Sequence, residues 1–372
     1  MLTDFGALSS QQKKVWSALA WQAGRDQSFF MGSKGFMSEG LKDTSKPIHY
    51  VNELTETDRG TKCVLTLVQD LQGDGVVGDN ELEGKEEQIT VDDIEIQLDQ
   101  LRHAVKNKGK FSEQKTVLRF RSIAKDKLAY WMASTTDELF FLTASGVAYT
   151  KELDGSTRSA SSELPQLAFA ADVAAPTTNR KLYAGTATST STLTTADKMS
   201  WNLLVRAKSF AVRKRINPIR VNGKPTYIIV MSAEEARDLK LDNDYRTAVA
   251  QAAERGKANE LFTGAFANVD GLVLYEHNRV YNTLGASSGQ KYGAAGTVDG
   301  AQALLFGAQA LGYAKIKDPE WTESDNKDYD NRTGVGYGCM FGMVKPQFQS
   351  IFDANSTEDF AIISIYTAAS AQ

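Results

Sequence analysis

The chain has 372 residues, 42% of them hydrophobic and 24% charged, which is enough to bury more than one core in about two or three domains. Its 42 basic and 46 acidic residues give a net charge of −4, which excludes the global basic excess of a tight nucleic-acid binder. No stretch approaches the roughly 18 apolar residues that a membrane span needs, and the N-terminus lacks the pattern of a signal peptide. Two isolated cysteines, Cys63 and Cys339, exclude a disulfide framework or a zinc site and favour synthesis in a reducing cytoplasm.

The N-terminal part of the chain predicts an arm followed by a β-ribbon. One amphipathic helix over residues 11–24 has its apolar residues at helical spacing: Val15, Trp16, Leu19 and Ala23. Residues 27–50 are rich in glycine, serine and lysine, and we expect them to be extended and to need a partner surface. Residues 61–71 and 88–101 read as two strands around an acidic, glycine-rich loop. Because a two-stranded ribbon is marginal alone, we expect its partner to be another molecule.

The middle of the chain predicts one long helix and one loose segment. Residues 111–145 contain no glycine or proline, carry apolar residues at three-and-four spacing, and are followed by Gly146 as a helix stop. Residues 155–195 are rich in serine, threonine and alanine, which is typical of a loop or a poorly packed insertion.

The second half predicts a separate α/β unit. A helix over residues 196–212 with Asp197 near its N-terminus is followed by a strand over 224–232 and a helix capped by Ser232. A further helix ended by Gly256 and a strand over 270–278 come next. The last part offers three apolar, strand-like runs at 301–316, 334–345 and 360–368, with an acidic linker at 323–331 between the first two.

Two motifs in the acidic loop resemble ligand sites. Gly73, Gly75 and Gly78 match the glycine pattern of a dinucleotide site, but the residues that follow are acidic and predict a plain turn. The same loop nearly fits a calcium-binding pattern with Asp70, Gln72, Asp74, Gly75 and Glu81, yet both flanks read as strands, where that site needs helices. A solvated charged loop is the favoured interpretation.

The rest of the chain gives little support for catalysis. His49, His103 and His277 are far apart and lack metal partners at short spacing, so we interpret them as structural. Nucleophile-elbow, phosphate-loop and zinc-protease motifs are absent from the sequence. One local basic run could contact nucleic-acid phosphates or a neighbouring subunit, and the subunit contact is favoured. Its residues are Arg213, Lys214, Arg215 and Arg220.

The order of these pieces resembles a known architecture. An arm, a long ribbon, a long helix, an α/β unit and returning strands are similar to the α+β Hong Kong ninety-seven (HK-97) capsid fold of tailed phages. The amino-acid sequence of several segments is similar to that of major capsid proteins of the phage N-four type. The matching segments, in chain order, are GDGVVGDNELEGKEE, IQLDQLRHAV, WMASTTDELFFLTASG, INPIRVNGKPTYIIVMSAEEARDL, ELFTGAFANVDGLVLYEHNRV and LLFGAQAL.

The resemblance implies a domain layout. Residues 1–57 form the N-terminal arm, 58–102 the extended E-loop, and 103–195 the P-domain with its spine helix and the serine- and threonine-rich insertion. Residues 196–300 form the A-domain, and the strands of 301–372 return to complete both domains. The spine helix carries Trp131, Asp137 and Leu142.

The resemblance also implies positions of contact between subunits. The E-loop tip lies over a neighbouring subunit, and its contact residues are Leu82, Glu83, Gly84, Glu86 and Glu87. Gln100, Arg102 and His103 stand where the ribbon rejoins the P-domain. The A-domain begins with Asn217, Pro218, Arg220, Gly223 and the strand from Tyr227 to Met231, and its later strand and loop carry Gly271, Glu276, His277 and Asn278.

The function implied is that of a major capsid protein without catalytic residues, cofactor or metal. Copies of the chain assemble into hexamers and pentamers of an icosahedral head, in the bacterial cytoplasm, around double-stranded DNA bound without sequence specificity. Because the ribbon begins near residue 58, we expect a separate scaffolding protein. The resemblance also implies a portal protein and no membrane partner, and it leaves open whether a decoration protein binds. Lys62 or Lys85 are conceivable but unsupported cross-link donors. The alternatives are an encapsulin-like nanocompartment shell and a two-domain α/β enzyme.

Overall fold

A computed structural model gives the fold. It describes residues 28–32, 36–38, 45–51, 60–68, 71, 73–111, 120–221, 223–251, 267–327, 331–350, 353 and 356–370. The predicted helix over residues 11–24, the predicted helix stop Gly256, and Asp70 and Gln72 of the calcium pattern lie outside these residues.

Four helices and fifteen strands make up the described regular structure. The helices are α1 (Phe120–Ser145), α2 (Trp201–Arg213), α3 (Ala233–Leu241) and α4 (Asn243–Gln251). The first eight strands are β1 (Ile48–Val51), β2 (Lys62–Val68), β3 (Val91–Gln97), β4 (Asp99–Lys106), β5 (Lys181–Tyr183), β6 (Ile219–Val221), β7 (Lys224–Met231) and β8 (Ala267–Val269). The others are β9 (Leu272–Glu276), β10 (Gly300–Phe306), β11 (Leu311–Lys327), β12 (Arg332–Val344), β13 (Gln347–Ser350), β14 (Ser356–Asp359) and β15 (Ile362–Ala368).

The long helix ends where the sequence predicts. Gly146 has a φ of +67°, and the N–H of Val147 donates to the carbonyl of Leu142, so the turn after α1 closes in the usual glycine-dependent way. A Cβ at Gly146 would collide with the backbone of Ala174 and Ala175, which gives a second reason for glycine. Of the predicted N-terminal part of this helix, residues 112–119 lie outside the described chain.

A four-stranded sheet packs on α1. Its strand order is β1-β11-β12-β4, with β1 parallel to β11 and the other pairs antiparallel. Alternate residues of β12 face α1 and are buried: Val335, Tyr337, Cys339, Phe341 and Met343. The residues between them include Gly334, Gly336, Gly338 and Gly342, and these point to the other side of the sheet, here called the outer face.

A seven-stranded sheet forms the second unit. Its order is β5-β15-β10-β7-β9-β8, with β6 paired to β7. The strands β7, β10 and β15 lie at its centre and are almost wholly buried, as expected of a sheet covered on both faces. The predicted cap of α3 is confirmed, because the Ser232 hydroxyl accepts from the N–H of Glu235 and the Glu235 carboxylate accepts from the N–H of Ser232.

The C-terminal runs are divided differently from the sequence prediction. The run 301–316 is not one strand: β10 joins the seven-stranded sheet and β11 the four-stranded sheet, with a turn at 307–310 between them. Gln309 has a φ of +59° in this turn, and the N–H of Ala308 donates to the carbonyl of Asn217. The predicted acidic linker was also placed too early, since β11 extends through Lys327.

The described residues at 28–32 pack on their own subunit, which corrects the expectation that the segment 27–50 is extended and needs a partner surface. The Asp137 carboxylate on α1 accepts from the Ser28 hydroxyl at 2.6 Å and from the N–H groups of Phe29 and Phe30. Phe29 and Phe30 are buried, and Phe30 lies 4.7 Å from the ring of Phe141 between centroids. Burial raises the pKa of Asp137, and these hydrogen bonds oppose the rise.

The serine- and threonine-rich segment is also better packed than predicted. It contains short 3₁₀ turns and β5, which joins the seven-stranded sheet beside β15. Phe169, Leu182 and Leu193 are buried in the main hydrophobic core. A few well-spaced apolar side chains therefore anchor a segment whose average composition is polar.

A buried ionic network lies where the chain passes from β12 to β14. Lys345 and Asp359 are almost fully buried, with 3.1 Å between Nζ and Oδ2. Arg180, which comes just before β5, donates to the carbonyl of Asp359 and pairs with Asp353 at 3.0 Å. Lys214, just after α2, pairs with the other oxygen of Asp353. These side chains tie the end of the four-stranded sheet to the unit built on the seven-stranded sheet.

Candidate assembly interface

The β-ribbon is present with a fixed register. Strands β2 and β3 are antiparallel, from the Lys62–Gln97 pair to the Val68–Val91 pair. The base of the ribbon packs on its own subunit, so the expectation that only another molecule covers it is corrected. Cys63, Ile96 and Leu98 form a small buried cluster there with the outer face of β11 and β12.

The far end of the ribbon is exposed. Residues 73–90, here called the ribbon tip, form turns without regular structure, with positive φ at Gly75, Gly78 and Gly84. Their hydrogen bonds are local: the Glu87 carboxylate accepts from the N–H of Gly73, and the Glu86 carboxylate from the N–H of Gly84. Leu82, Glu83, Gly84, Glu86 and Glu87 therefore lie together at an exposed turn, as the sequence-based placement requires.

Apolar and acidic side chains share this exposed end. Val77 is 80% exposed and Leu82 is 58% exposed, and several other apolar residues along the ribbon are similarly uncovered: Val68, Leu71, Ile89 and Val91. The tip also carries six acidic residues against one lysine, Lys85. An exposed row of this kind is typical of a surface that another molecule covers.

The outer face of the four-stranded sheet forms a groove beside the ribbon base. The groove has a volume of about 810 Å³, and its floor is formed by β4 and by Gly334, Gly336 and Gly338 of β12. Leu167 and its neighbours line one side, and Glu320 and Thr322 of β11 line another. Within the described chain, β4 pairs only with β12, and no described strand pairs with its second edge. Here this groove is called the glycine trough.

The basic run is divided by its local contacts. Lys214 is committed to Asp353 within the subunit. Arg213 and Arg220 are exposed, and the Arg213 guanidinium lies 5.3 Å from the centroid of the Phe210 ring. Arg215 adopts a positive φ of 52° in the turn that follows α2. Only part of the predicted patch therefore presents charge to the outside.

The structure removes the context that the ligand motifs need. Residues 73–90 are all described and none is helical, so Gly73, Gly75 and Gly78 do not precede the helix of a dinucleotide site. The calcium pattern is flanked by the strands β2 and β3, not by helices. Across the described residues, no group of three acidic, histidine or cysteine side chains could hold a metal ion.

The histidines and cysteines lie within the packing of the protein. The ring of His277 stacks on Phe141 at 5.0 Å, and His103 lies 4.6 Å from the ring of Trp131. Cys63 on β2 and Cys339 on β12 are both buried and form no disulfide with each other. In the described ranges, no helix is long and apolar enough to cross a membrane.

Glu235 is a buried acid with a large pKa shift. Complete burial raises its pKa from 4.5 to about 7, although the Thr367 hydroxyl and the N–H of Ser232 donate to the carboxylate. The folded chain therefore holds a proton that the unfolded chain releases. The stability from this group is fully present below about pH 4.5 and is lost as the pH rises to about 7.

We therefore expect Glu235→Gln to flatten the pH dependence of stability. Relative to the wild type, the variant should gain up to about 3 kcal/mol in unfolding free energy between pH 5 and pH 8. Urea titrations of the unassembled subunit at both pH values measure this. Parallel changes in the two proteins would show that Glu235 does not titrate in this range.

Comparisons with known proteins decide the family. A family model described as phage capsid protein matches residues 5–371. The chain belongs to this phage capsid protein family. It is 42% identical over 378 residues to the major capsid protein of Pseudomonas phage KPP25, covering 99% of this chain and 98% of that protein.

Solved capsids share the fold of this phage capsid protein. The capsid of Ralstonia phage GP4 matches with a TM-score of 0.76 and 28% identity, covering 93% of this chain and 92% of that one. The capsid asymmetric unit of cyanophage Pam1 matches with a TM-score of 0.67 over 91% of this chain and 92% of that one; at 16% identity it supports the fold alone.

The predicted HK-97-like capsid fold and the predicted role are confirmed. The protein is a structural subunit that self-associates into a phage capsid shell, it is part of the virion, and it is not an enzyme. The comparisons give no support to a nanocompartment shell or a two-domain enzyme.

Sequence reasoning missed two features of the site. The glycine trough has a signal in the sequence, because GVGYGCMFG places glycine at four of the five alternate positions from 334 to 342, with Met340 as the exception, and this removes most side chains from one face of the strand. The ionic network of Lys345 and Asp359 has no such signal, since Arg180 and Lys214 reach it from distant segments.

Proposed function

We propose that the chain forms hexamers and pentamers of an icosahedral head around double-stranded DNA, and that its ribbon tip contacts a neighbouring copy. In this assignment the ribbon is the E-loop, α1 and the four-stranded sheet belong to the P-domain, and the seven-stranded sheet with α2, α3 and α4 belongs to the A-domain. The observation that carries the proposal is the exposed tip, whose apolar and acidic residues have no cover within the described subunit.

The physical argument rests on many modest contacts. A closed, symmetric array repeats each contact around the shell, so a weak pairwise interface becomes strong when many copies engage together. Burying one exposed valine or leucine contributes about 1.5–3 kcal/mol at most, before the cost of ordering the tip. The tip therefore suits a contact that forms in the assembled shell and not between two isolated subunits.

The basic run is proposed as a contact with a neighbouring subunit or with phosphates, through its exposed members. We further propose a separate scaffolding protein and a portal protein as partners, with assembly in the bacterial cytoplasm; a decoration protein stays an open alternative. These partners follow from the resemblance of the chain to phage capsid proteins, and each stays a prediction.

Electron microscopy of the purified chain tests the proposed function. The chain is expressed alone and together with a candidate scaffolding protein, and we expect rings, tubes or shells in at least one condition. Rings with five- or six-fold symmetry would support the capsomer assignment. A uniformly monomeric particle under both conditions would overturn it.

The exposed and the paired members of the basic run should behave differently on mutation. We expect the double variant Arg213→Glu, Arg220→Glu to keep its unfolding free energy within about 0.5 kcal/mol of the wild type but to assemble less completely. Lys214→Met should instead lower stability, because the buried Asp353 carboxylate loses a partner. Chemical unfolding and particle yield, measured on the same preparations, separate the two effects. Equal losses of stability in both variants would contradict this division.

A further inference from the structure

The sequence contains four Asp-Gly pairs, and they differ in how firmly the structure holds them. They are Asp74-Gly75, Asp154-Gly155, Asp270-Gly271 and Asp299-Gly300. In such a pair the backbone nitrogen of glycine can attack the Cγ atom of the aspartate, because glycine has no Cβ to hinder the approach and adopts a wide range of backbone conformations. Folded structure slows this ring closure wherever it fixes the nitrogen or the carboxylate.

The pair Asp154-Gly155 is fixed at both reacting groups. The N–H of Gly155 donates to the carbonyl of Glu152 at 3.0 Å, and the Asp154 carboxylate accepts from the N–H of Ser156 at 2.9 Å. A Cβ at Gly285 would collide with this carboxylate, so its surroundings are tightly packed. Attack by the Gly155 nitrogen requires that these contacts break first.

The pairs at 270 and 299 are held as well. The Asp270 carboxylate forms an ion pair with Lys208 at 2.6 Å. The N–H of Gly300 donates to the Thr283 hydroxyl at 2.9 Å, and the Asp299 carboxylate forms an ion pair with a lysine. In both pairs an existing contact therefore competes with ring closure.

The pair Asp74-Gly75 at the ribbon tip has no such restraint. Both residues are exposed, and no residue of the described chain forms a hydrogen bond with the Asp74 carboxylate or with the N–H of Gly75. Gly75 has a φ of +74°, and a Cβ built on it would meet no atom within 4 Å. The adjacent hydrogen bond, from the N–H of Gly73 to Glu87, does not involve the peptide group that joins Asp74 and Gly75. The nitrogen and the carboxyl group that must react are both open to water.

We propose that Asp74 of the unassembled subunit converts to isoaspartate through a cyclic imide with Gly75. The Gly75 nitrogen forms a bond to Cγ of the Asp74 carboxylic acid, and its proton leaves with the carboxyl hydroxyl group as water. A water molecule then opens the ring at either carbonyl. Attack at the backbone carbonyl gives isoaspartate, and attack at the side-chain carbonyl returns aspartate. The final mass equals the initial mass, and no oxidant or reductant takes part.

The change is local to the ribbon tip. Isoaspartate carries the chain through the former side chain and so adds a methylene group to the backbone between residues 74 and 75. The paired part of the ribbon ends at Val68 and resumes at Val91, so no strand register is disturbed and the subunit stays folded. In assembled shells we expect slower conversion, an expectation that rests on the proposed contact of the tip with a neighbouring copy.

Peptide mass spectrometry of the unassembled subunit, incubated at neutral pH, tests the proposal. Fragment ions specific for isoaspartate locate it within the tryptic peptide that ends at Lys85. We expect isoaspartate at position 74 to form at least about tenfold faster than at positions 154, 270 and 299, because each of those must first break a hydrogen bond or an ion pair. Equal rates at all these positions would overturn the proposal. Deamidation at Asn222, which lies outside the described residues and precedes Gly223, is counted on its own peptide.

Two variants identify the reacting groups. Asp74→Asn should deamidate through the same imide, with ammonia as the leaving group, and should give both aspartate and isoaspartate at position 74. Gly75→Ala keeps the Asp74 carboxyl group and places a methyl group beside the attacking nitrogen, so it should slow the conversion severalfold. Isoaspartate formation at the wild-type rate in Gly75→Ala, or an Asp74→Asn variant that keeps its amide, would contradict the mechanism.

Unfolding and assembly supply the controls. In urea all four pairs should react at similar rates, because the structure that distinguishes them is lost. A preference for position 74 that persists in urea would mean that the local sequence causes it, and would refute the structural argument. In purified shells the conversion of Asp74 should slow. Conversion there at the rate of the free subunit would leave the modification in place and count against the proposed contact of the tip.

Discussion

Replacing residues 69–90 with Asn-Gly is expected to abolish shell formation and to leave the subunit folded. Val68 and Val91 are the last paired residues of β2 and β3, so a two-residue turn can join them without changing the register. The cluster of Cys63, Ile96 and Leu98 at the ribbon base remains intact. Among the described residues that the deletion removes, all are exposed except the half-buried Val76, so we expect the unfolding free energy to change by less than about 1 kcal/mol.

Electron microscopy and chemical unfolding of the shortened chain check this expectation. The matched control replaces Glu83, Glu86 and Glu87 with glutamine. This removes three negative charges from the tip and keeps the full length of the ribbon. Shells of normal size from the shortened chain would refute the assignment of the tip as an assembly contact. Loss of assembly in the deletion with partial assembly in the control would show that both length and charge contribute.

Lys345→Met is expected to destabilise the subunit by about 3–5 kcal/mol, because it leaves the buried Asp359 carboxylate without its cation. Burial lowers the pKa of Lys345 despite the neighbouring charge of Asp359. Gln347 and the N–H of Thr177 also donate to this carboxylate, but neither supplies a charge. Urea unfolding of the unassembled subunit at neutral pH measures the loss.

Two comparison variants test the physical cause. Lys345→Met combined with Asp359→Asn should recover part of the loss, since a neutral amide is cheaper to bury than a carboxylate. Lys240→Met breaks the exposed pair of Lys240 and Glu276 and should cost less than about 1 kcal/mol. If Lys240→Met and Lys345→Met lower the unfolding free energy equally, burial does not determine how much the pair of Lys345 and Asp359 stabilises the subunit.

The elements that sequence predicted best are those with local signals. Alternating apolar residues on both sides of the acidic loop predicted the two ribbon strands. Gly146 predicted the end of α1, and Ser232 predicted the start of α3. Each of these signals lies within a few residues of the feature that it specifies. The candidate tip residues lie at an exposed turn, and their contact with a neighbouring subunit stays a prediction.

The features that sequence missed depend on distant segments. The division of residues 301–316 between two sheets depends on which strands lie beside β10 and β11, and those strands come from other parts of the chain. The Ser28 hydroxyl donates to the Asp137 carboxylate, which is 109 residues away in sequence, so no local sequence pattern could predict this contact of the arm. Composition alone suggested a loose segment at 155–195, because a few anchors such as Phe169 contribute little to an average.

The strand order of the four-stranded sheet also determines when this sheet can form during translation. β1 and β4 emerge from the ribosome early, but their partners β11 and β12 follow more than 200 residues later, so the sheet closes only when most of the chain has been made. Pairings this distant in sequence form slowly. A growing chain can therefore complete its ribbon long before the sheet that supports the base of that ribbon exists.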